Sequence, residues 1–293
     1  MPQRRIVYFG MSGIFSAIPL RGLIEAGHTV EAVVMPRPAA DARGLYLMPQ
    51  LEMPMIELPM VQMPVSASLM TEASRFNIPV YSLGRLATPN LWTALAGFEA
   101  ELWVTACFPR IFPEGMLAVP PQGALNLHPS RLPDYRGPDP IFWQLHEGEL
   151  NPGVSIHFMT PEIDGGPLAA QCNVAFPDGA DPQTLDRICA EALSGLLVEL
   201  MSQEQIPTQP QDQNQARYFG PPEGADRVIS VLWTARRAYN FIRGAAAWAP
   251  FQVEMRSGEH LTVNEALEIV EAAPLEGADA GWVEFVDGWV RVS

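Results

Sequence analysis

The chain is predicted to be an α/β fold with a mostly parallel sheet, followed by a small β domain. Three observations carry that expectation. The first residues alternate strand, glycine turn, helix and strand. A polar, glutamine-rich tract interrupts the chain near residue 205. Beyond it the apolar runs become short and β-like.

Residues 5–9 (RIVYF) form a short, apolar-rich run suited to a buried strand. Gly10 and Gly13 follow, then a helical stretch over about 15–26 that Gly27 stops, then a strand over 29–34. The turn reads G-M-S-G and lacks the G-x-G-x-x-G spacing, so NAD or FAD is not expected there. Residues 102–107 (LWVTAC) and 124–128 (ALNLH) are further buried strands, and 154–159 alternates apolar and polar side chains. A helix is expected over 181–201, capped by Asp181, with Leu185, Ile188, Leu193, Leu196, Leu197 and Leu200 on its apolar face. The tract 203–215, with two prolines, marks a boundary between a first domain at 1–205 and a second at 206–293. In the second part a helix over about 234–243 precedes a run at 251–255. Two more runs, 282–286 and 289–292, flank Asp287-Gly288, a strong hairpin turn.

Composition narrows the chemistry. All 18 basic residues are arginine, against 33 acidic ones, for a net charge of -15. Without lysine there is no side-chain Schiff base and no P-loop lysine. The acidic balance argues against a surface that clings broadly to nucleic acid or anionic membrane, though a local arginine patch would escape that argument. No stretch of about 18 apolar residues suggests a membrane span, and the start does not resemble a signal peptide. Cys107, Cys172 and Cys189 show neither metal spacing nor a disulfide framework, which suits a reducing cytoplasm.

Pro49, Pro54, Pro59 and Pro64 recur every five residues, each preceded by Met or Leu. That density forbids a regular helix or a central strand, so segment 47–65 is expected as an extended, methionine-lined loop. It would serve as a covering flap or a self-association edge, as in a homodimer, or as a binding surface for an apolar partner.

The informative stretch runs from residue 123 to 171. Asn126 and His128, two apart on a strand, face one side, with Leu125 and Leu127 on the other. Pro129 ends the strand and leaves His128 at its carboxyl end, where ligands gather in open α/β sheets. The following loop to Trp143 carries four prolines and a glycine, with Arg131 and Arg136 as its charges. After the strand at 153–159, the turn T-P-E-I-D-G-G presents Asp164, with two glycines to aim its carboxylate inward. An amide, an imidazole and a carboxylate suffice for acyl transfer. The imidazole takes a proton from an attacking amine, the carboxylate stabilises the imidazolium, and the amide donates to an oxyanion, a role worth roughly 3 to 4 kcal/mol in comparable sites. By themselves these residues also fit a satisfied core histidine with polar neighbours. His157 reads as a satisfied strand histidine. Tyr135 and Arg136 fit either an acceptor phosphate or a loop-stabilising role.

The run N-L-H-P-S-R-L-P-D-Y-R-G-P-D-P-I-F-W, followed by G-V-S-I-H and I-D-G-G-P-L-A-A-Q, resembles the signature of the folate-dependent formyltransferases. The resemblance extends to the N-terminal R-I-V-Y-F-G and to V-T-A-C-F-P-R-I-F-P, about 170 residues in all. It implies a Rossmann-like domain that uses 10-formyltetrahydrofolate as formyl donor, a small OB-like β domain after it, and no metal. It implies that Asn126, His128 and Asp164 are the catalytic trio. The backbone around Phe108, Pro109, Arg110 and Ile111 would hold the pterin. Ser130, Tyr135, Arg136 and Gly137 would border the acceptor.

The acceptor is less determined. The tRNA-acting members resemble one another in a basic loop after the second strand. Here that position holds Arg37 and Arg43, then no basic residue until Arg75. From residue 211 onward seven arginines face twelve acids, net -5, which disfavours phosphate neutralisation. The expected acceptor is therefore a small or nucleotide-linked primary amine, such as an amino sugar, with methionyl-tRNA as the alternative. Two further readings are a hydrolase releasing formate from the same donor and a catalytically silent binding protein.

Overall fold

The computed structural model describes residues 2–37, 44–49, 68–84, 86, 89–149, 151–274 and 281–293. The expectations for Arg43 and for the Met-Pro segment beyond residue 49 lie outside the described residues.

The strands of the main sheet are β1 (Arg5–Gly10), β2 (Thr29–Pro36), β3 (Leu45–Leu47), β4 (Val80–Leu83), β5 (Leu102–Ala106), β6 (Ala124–His128), β7 (Gly153–Phe158) and β8 (Leu168–Asn173). Their order is β3-β4-β2-β1-β5-β6-β7-β8. The pairings from β4 through β6 are parallel, while β3, β7 and β8 join antiparallel at the two sides. The central strands β1 and β5 are buried on both faces, which is why they read as unbroken apolar runs rather than as alternation.

Helices cover both faces. On one face lie α1 (Ile14–Glu25), α2 (Leu69–Arg75) and α6 (Pro182–Met201), contributing Leu20, Leu23, Leu69, Leu193 and Leu197 to one core. Full burial of each such leucine stabilises by roughly 2 kcal/mol. Asp181 caps α6 by accepting from Thr184 N–H at 2.8 Å. Leu185, Leu193, Leu197 and Leu200 are buried on the expected face, with Ile188 and Leu196 half-buried at its margins. On the other face α3 (Pro89–Ala96) and α4 (Glu114–Leu117) set Leu91, Leu95 and Met116 against Phe9, Trp103 and Phe112.

The C-terminal part contains β9 (Val228–Ser230), β10 (Phe251–Glu254), β11 (His260–Val263), β12 (Ala266–Val270), β13 (Trp282–Glu284) and β14 (Trp289–Val292). They form two three-stranded sheets, ordered β11-β10-β9 and β12-β14-β13. The hairpin expected at Asp287-Gly288 forms, and the Asp287 carboxylate also accepts from Ala235 N–H at 2.7 Å. That bond and the Thr234 hydroxyl, accepting from Arg237 N–H, start α7 (Ala235–Gly244). With α5 (Pro140–Glu147), α7 builds a core holding Phe142, Trp143, Leu185, Phe241, Phe251 and Val290. Residues from both halves of the chain share that core.

The polar tract after α6 does not stand free between the halves. Gln209 and Leu168 exchange both backbone hydrogen bonds, at 2.7 and 2.8 Å. Farther on, Arg136 N–H donates to Arg217 C=O and Phe219 N–H to Arg136 C=O. The outer strand β8 offers unpaired backbone groups, and the tract covers part of that edge.

Candidate active site

Asn126 and His128 lie on β6, whose Leu125 and Leu127 turn to the α1/α6 core. Asn126 is half-buried and His128 buried. On the neighbouring antiparallel strand, His157 sits directly opposite Asn126. The turn after β7 brings in Asp164, whose backbone is left-handed at φ 49. The two glycines that follow are not left-handed. Gly166 is needed for close approach instead: a Cβ there would overlap the backbone C=O of Phe158, whereas one on Gly165 would meet only the flexible Glu162 side chain.

The Asp164 carboxylate is the hub. Its Oδ1 accepts from Asn126 Nδ2 at 3.3 Å and lies 3.3 Å from His157 Nε2. Its Oδ2 accepts from Gly137 N–H at 2.9 Å and lies 3.7 Å from His128 Nδ1. That last separation is too long for a hydrogen bond but short for a charge pair. His128 Nε2 is 2.9 Å from Tyr135 C=O, which can only accept. Nε2 therefore carries the proton, and in the neutral ring Nδ1 is the free base. His157 Nδ1 likewise faces Phe158 C=O at 2.9 Å, and its Nε2 is 3.1 Å from Asn126 Nδ2.

Burial sets the electrostatics. It lowers the His128 imidazole below its ordinary value, against the opposing pull of Asp164. Burial alone would raise Asp164, but His128, His157 and the Gly137 N–H together hold its carboxyl well below the usual range. The pair at neutral pH is a neutral base beside a fixed negative charge.

These groups open into a cavity of about 1070 Å³. Phe108, Pro109, Arg110 and Ile111 line it just past β5. Phe108 packs edge-on against Phe9 and Phe112, and Ile111 is 62% exposed. The Arg110 guanidinium points away to Gly84 C=O at 2.6 Å and Arg37 C=O at 2.8 Å, tying down the ends of β4 and β2. Cys107, also on the wall, is exposed to the open cavity. Burial pushes Asp186, across the cavity on α6, up to about 6. The far wall is formed by Gly244, Ala245, Ala247 and Trp248 from the C-terminal part.

Of the four residues expected to border the acceptor, only Gly137 lines the cavity. The side chains of the other three are drawn inward by polar partners. The Ser130 hydroxyl donates to Asp134 C=O at 2.9 Å. Tyr135 donates to Glu149 at 3.2 Å and stacks on Phe219. Arg136 is buried and donates to Gln211 Oε1 and to Glu162 Oε1. For Tyr135 and Arg136 the loop-stabilising reading is the one this geometry matches. Conversely, His157 reaches the trio's carboxylate. Its alternation on β7 was legible, but its place opposite Asn126 follows from a pairing register that no local pattern gives. Gln211, buried at 7% exposure behind Asp164, carries no motif at all.

Among the described residues, no three His, Cys, Asp or Glu side chains gather as a metal ion requires, and no helix is long and apolar enough to cross a membrane.

Comparison with known proteins agrees with this architecture. Residues 4–201 match the formyl transferase family. The methionyl-tRNA formyltransferase of Moorella thermoacetica is 31% identical over 262 residues, covering 88% of this chain and 78% of that protein. That of Chloroflexus aurantiacus is 31% identical over 305 aligned residues, 92% of each chain. Among solved structures, the N-formyltransferase from Helicobacter canadensis, in complex with folinic acid and dTDP-3-aminofucose, has a TM-score of 0.62 at 12% identity. It covers 100% of this chain and 99% of that one. HypX from Aquifex aeolicus in complex with tetrahydrofolic acid has a TM-score of 0.60 at 15% identity, covering 99% of this chain and 44% of that one. These two likenesses concern the fold. With a family match from Arg4 to Met201 and relatives at 31% identity across most of both chains, the chain belongs to the formyl transferase family, enzymes that move formyl groups.

Proposed function

We propose that the enzyme transfers the formyl group of 10-formyltetrahydrofolate to the α-amino group of methionyl-tRNA, in the cytoplasm. The observation that carries the acceptor is the 31% identity to methionyl-tRNA formyltransferases across most of both chains. The acidic surface, which favoured a smaller amine, is a weaker argument, because a docking surface needs only local charge. The donor fits the cavity in size and character. About 1070 Å³ lies at the upper end of the range for small-molecule and cofactor sites, and the apolar wall beside Phe108 and Ile111 suits a flat ring system.

When bound, 10-formyltetrahydrofolate supplies the electrophilic formyl carbon. The chain's own residues supply the rest. His128 Nδ1 has a free lone pair, takes the proton released by the attacking amine, and returns it to the donor nitrogen as the bond from that nitrogen to the formyl carbon breaks. Asp164, held ionised, stabilises the imidazolium that forms 3.7 Å away. Asn126 Nδ2 has both hydrogens engaged, toward His157 and Asp164, and favours negative charge developing on the formyl oxygen by exchanging its long 3.3 Å bond to Asp164 for one to that oxygen.

A nucleotide-linked amino sugar is the second reading, favoured by the net charge of -5 from residue 211 onward. The purified enzyme is tested with labelled 10-formyltetrahydrofolate against methionyl-tRNA, an amino-sugar nucleotide, and no acceptor. Label on methionyl-tRNA is expected. Label on the amino sugar alone overturns the first reading in favour of the second, and free formate without acceptor marks a hydrolase.

A further inference from the structure

The Asp164 turn is held from behind by a residue of the polar tract. Gln211 Nε2 donates to Asp164 C=O and to Gly166 C=O, both at 2.7 Å. Its Oε1 accepts from Arg136 Nη2 at 2.8 Å and Nε at 3.2 Å. Both amide hydrogens and the amide oxygen are thus used, and the side chain is buried. These bonds join three segments: the Asp164 turn, the loop whose Gly137 N–H holds the Asp164 carboxylate, and the tract itself. The turn needs an external hold. Asp164 is left-handed at φ 49, a conformation that costs a non-glycine residue free energy. Gly166 lies against Phe158 C=O with no room for a Cβ. The tract, in turn, is fixed in place by the Gln209–Leu168 backbone pair two residues earlier.

We propose that Gln211 is a positioning residue for formyl transfer: it fixes the Asp164 turn in register with His128, so that docking of the tract after α6 completes the active site. Gln211 touches neither the cavity nor the reacting atoms and acts through Asp164. The charged groups beside Gln211 are Arg136 and Glu162, and those facing His128 are Asp164 and His157.

The inference rests on the formyl-transfer reading for its activity assay, so a second measurement stands apart from it. Gln211→Met keeps the length but removes every polar bond, while Gln211→Asn keeps the amide but withdraws its reach. Both are compared with the parent full-length enzyme. Displacement of a catalytic group by about 1 Å costs up to about 100-fold, so kcat is expected to fall by about 10- to 100-fold in Gln211→Met, with the donor and acceptor KM within about twofold. Independently of activity, the His128 titration is followed by NMR on histidine-labelled protein, assigned with His128→Asn. Loss of the nearby carboxylate moves its midpoint to lower pH, a change that lowered stability alone does not produce. If Gln211→Met does not fold, Gln211→Asn is read in both measurements. Parent-like kcat together with a parent-like His128 titration in a folded variant overturns the inference. A parent enzyme that formylates no acceptor overturns the proposed function instead, and the titration still decides the role of Gln211.

Discussion

Asp164→Asn isolates the electrostatic part of the site. The substitution keeps the size of the side chain, and asparagine tolerates the left-handed backbone at φ 49. Its amide oxygen still accepts from Gly137 N–H. What disappears is the attraction between the carboxylate and the imidazolium formed when His128 takes a proton. At a separation of 3.7 Å and an effective dielectric constant of about 20, that attraction is on the order of 4 kcal/mol. With about 1.4 kcal/mol per factor of ten in rate, kcat is expected to fall by about 1000-fold. The assay is single-turnover transfer of labelled formyl groups, which keeps product release from masking the chemical step. KM is expected within about twofold of the parent, while the melting temperature falls, because the single amide oxygen cannot accept from both Gly137 N–H and Asn126 Nδ2. A kcat within about threefold of the parent would refute the argument, because it would mean that no imidazolium forms beside Asp164.

Two other outcomes follow from the same geometry. Burial depresses the His128 imidazole, and the base must be neutral to act, so activity rises as pH climbs through that lowered value. The acid limb of kcat/KM is therefore expected below about pH 6.5, the ordinary histidine value, and a midpoint above it contradicts the assignment. Gly166→Ala places a Cβ against the backbone oxygen of Phe158. Urea denaturation should show a loss of about 1–3 kcal/mol, and an unchanged midpoint would mean the turn can yield.

How much was legible depended on where each signal resides. Strands β1 and β5 are nearly continuous apolar runs, and their sequence is their structural signature. Strand β8 is only half-buried and carries Gln171, so nothing in its composition set it apart from the I-D-G-G loop before it. Helix α5 opens on Pro140 inside a proline-rich stretch and was read as loop. In the site, alternation along β6 was enough to put Asn126 and His128 on one face. The glycines after Asp164 single it out in sequence and the family resemblance adds its role, but its approach to His128 depends on a turn pinned by Gly137 and Gln211. Arg136 fits either an acceptor phosphate or a loop-stabilising role in sequence, because its buried partner Gln211 is 75 residues away. The glutamine-rich tract looked like a spacer because its bonds run to backbone carbonyls, which leave no trace in sequence.

The cavity has two owners. His128 and Asp164 belong to the main sheet and its turns, while Gly244 is the last residue of α7 and Ala245, Ala247 and Trp248 belong to the short segment after it. On the proposed mechanism, the proton-transfer pair and this wall are therefore encoded apart, with Gly244 lying 244 - 164 = 80 residues beyond Asp164. Changes in that distant wall can reshape the cavity without disturbing the base, its carboxylate or the strand that carries them.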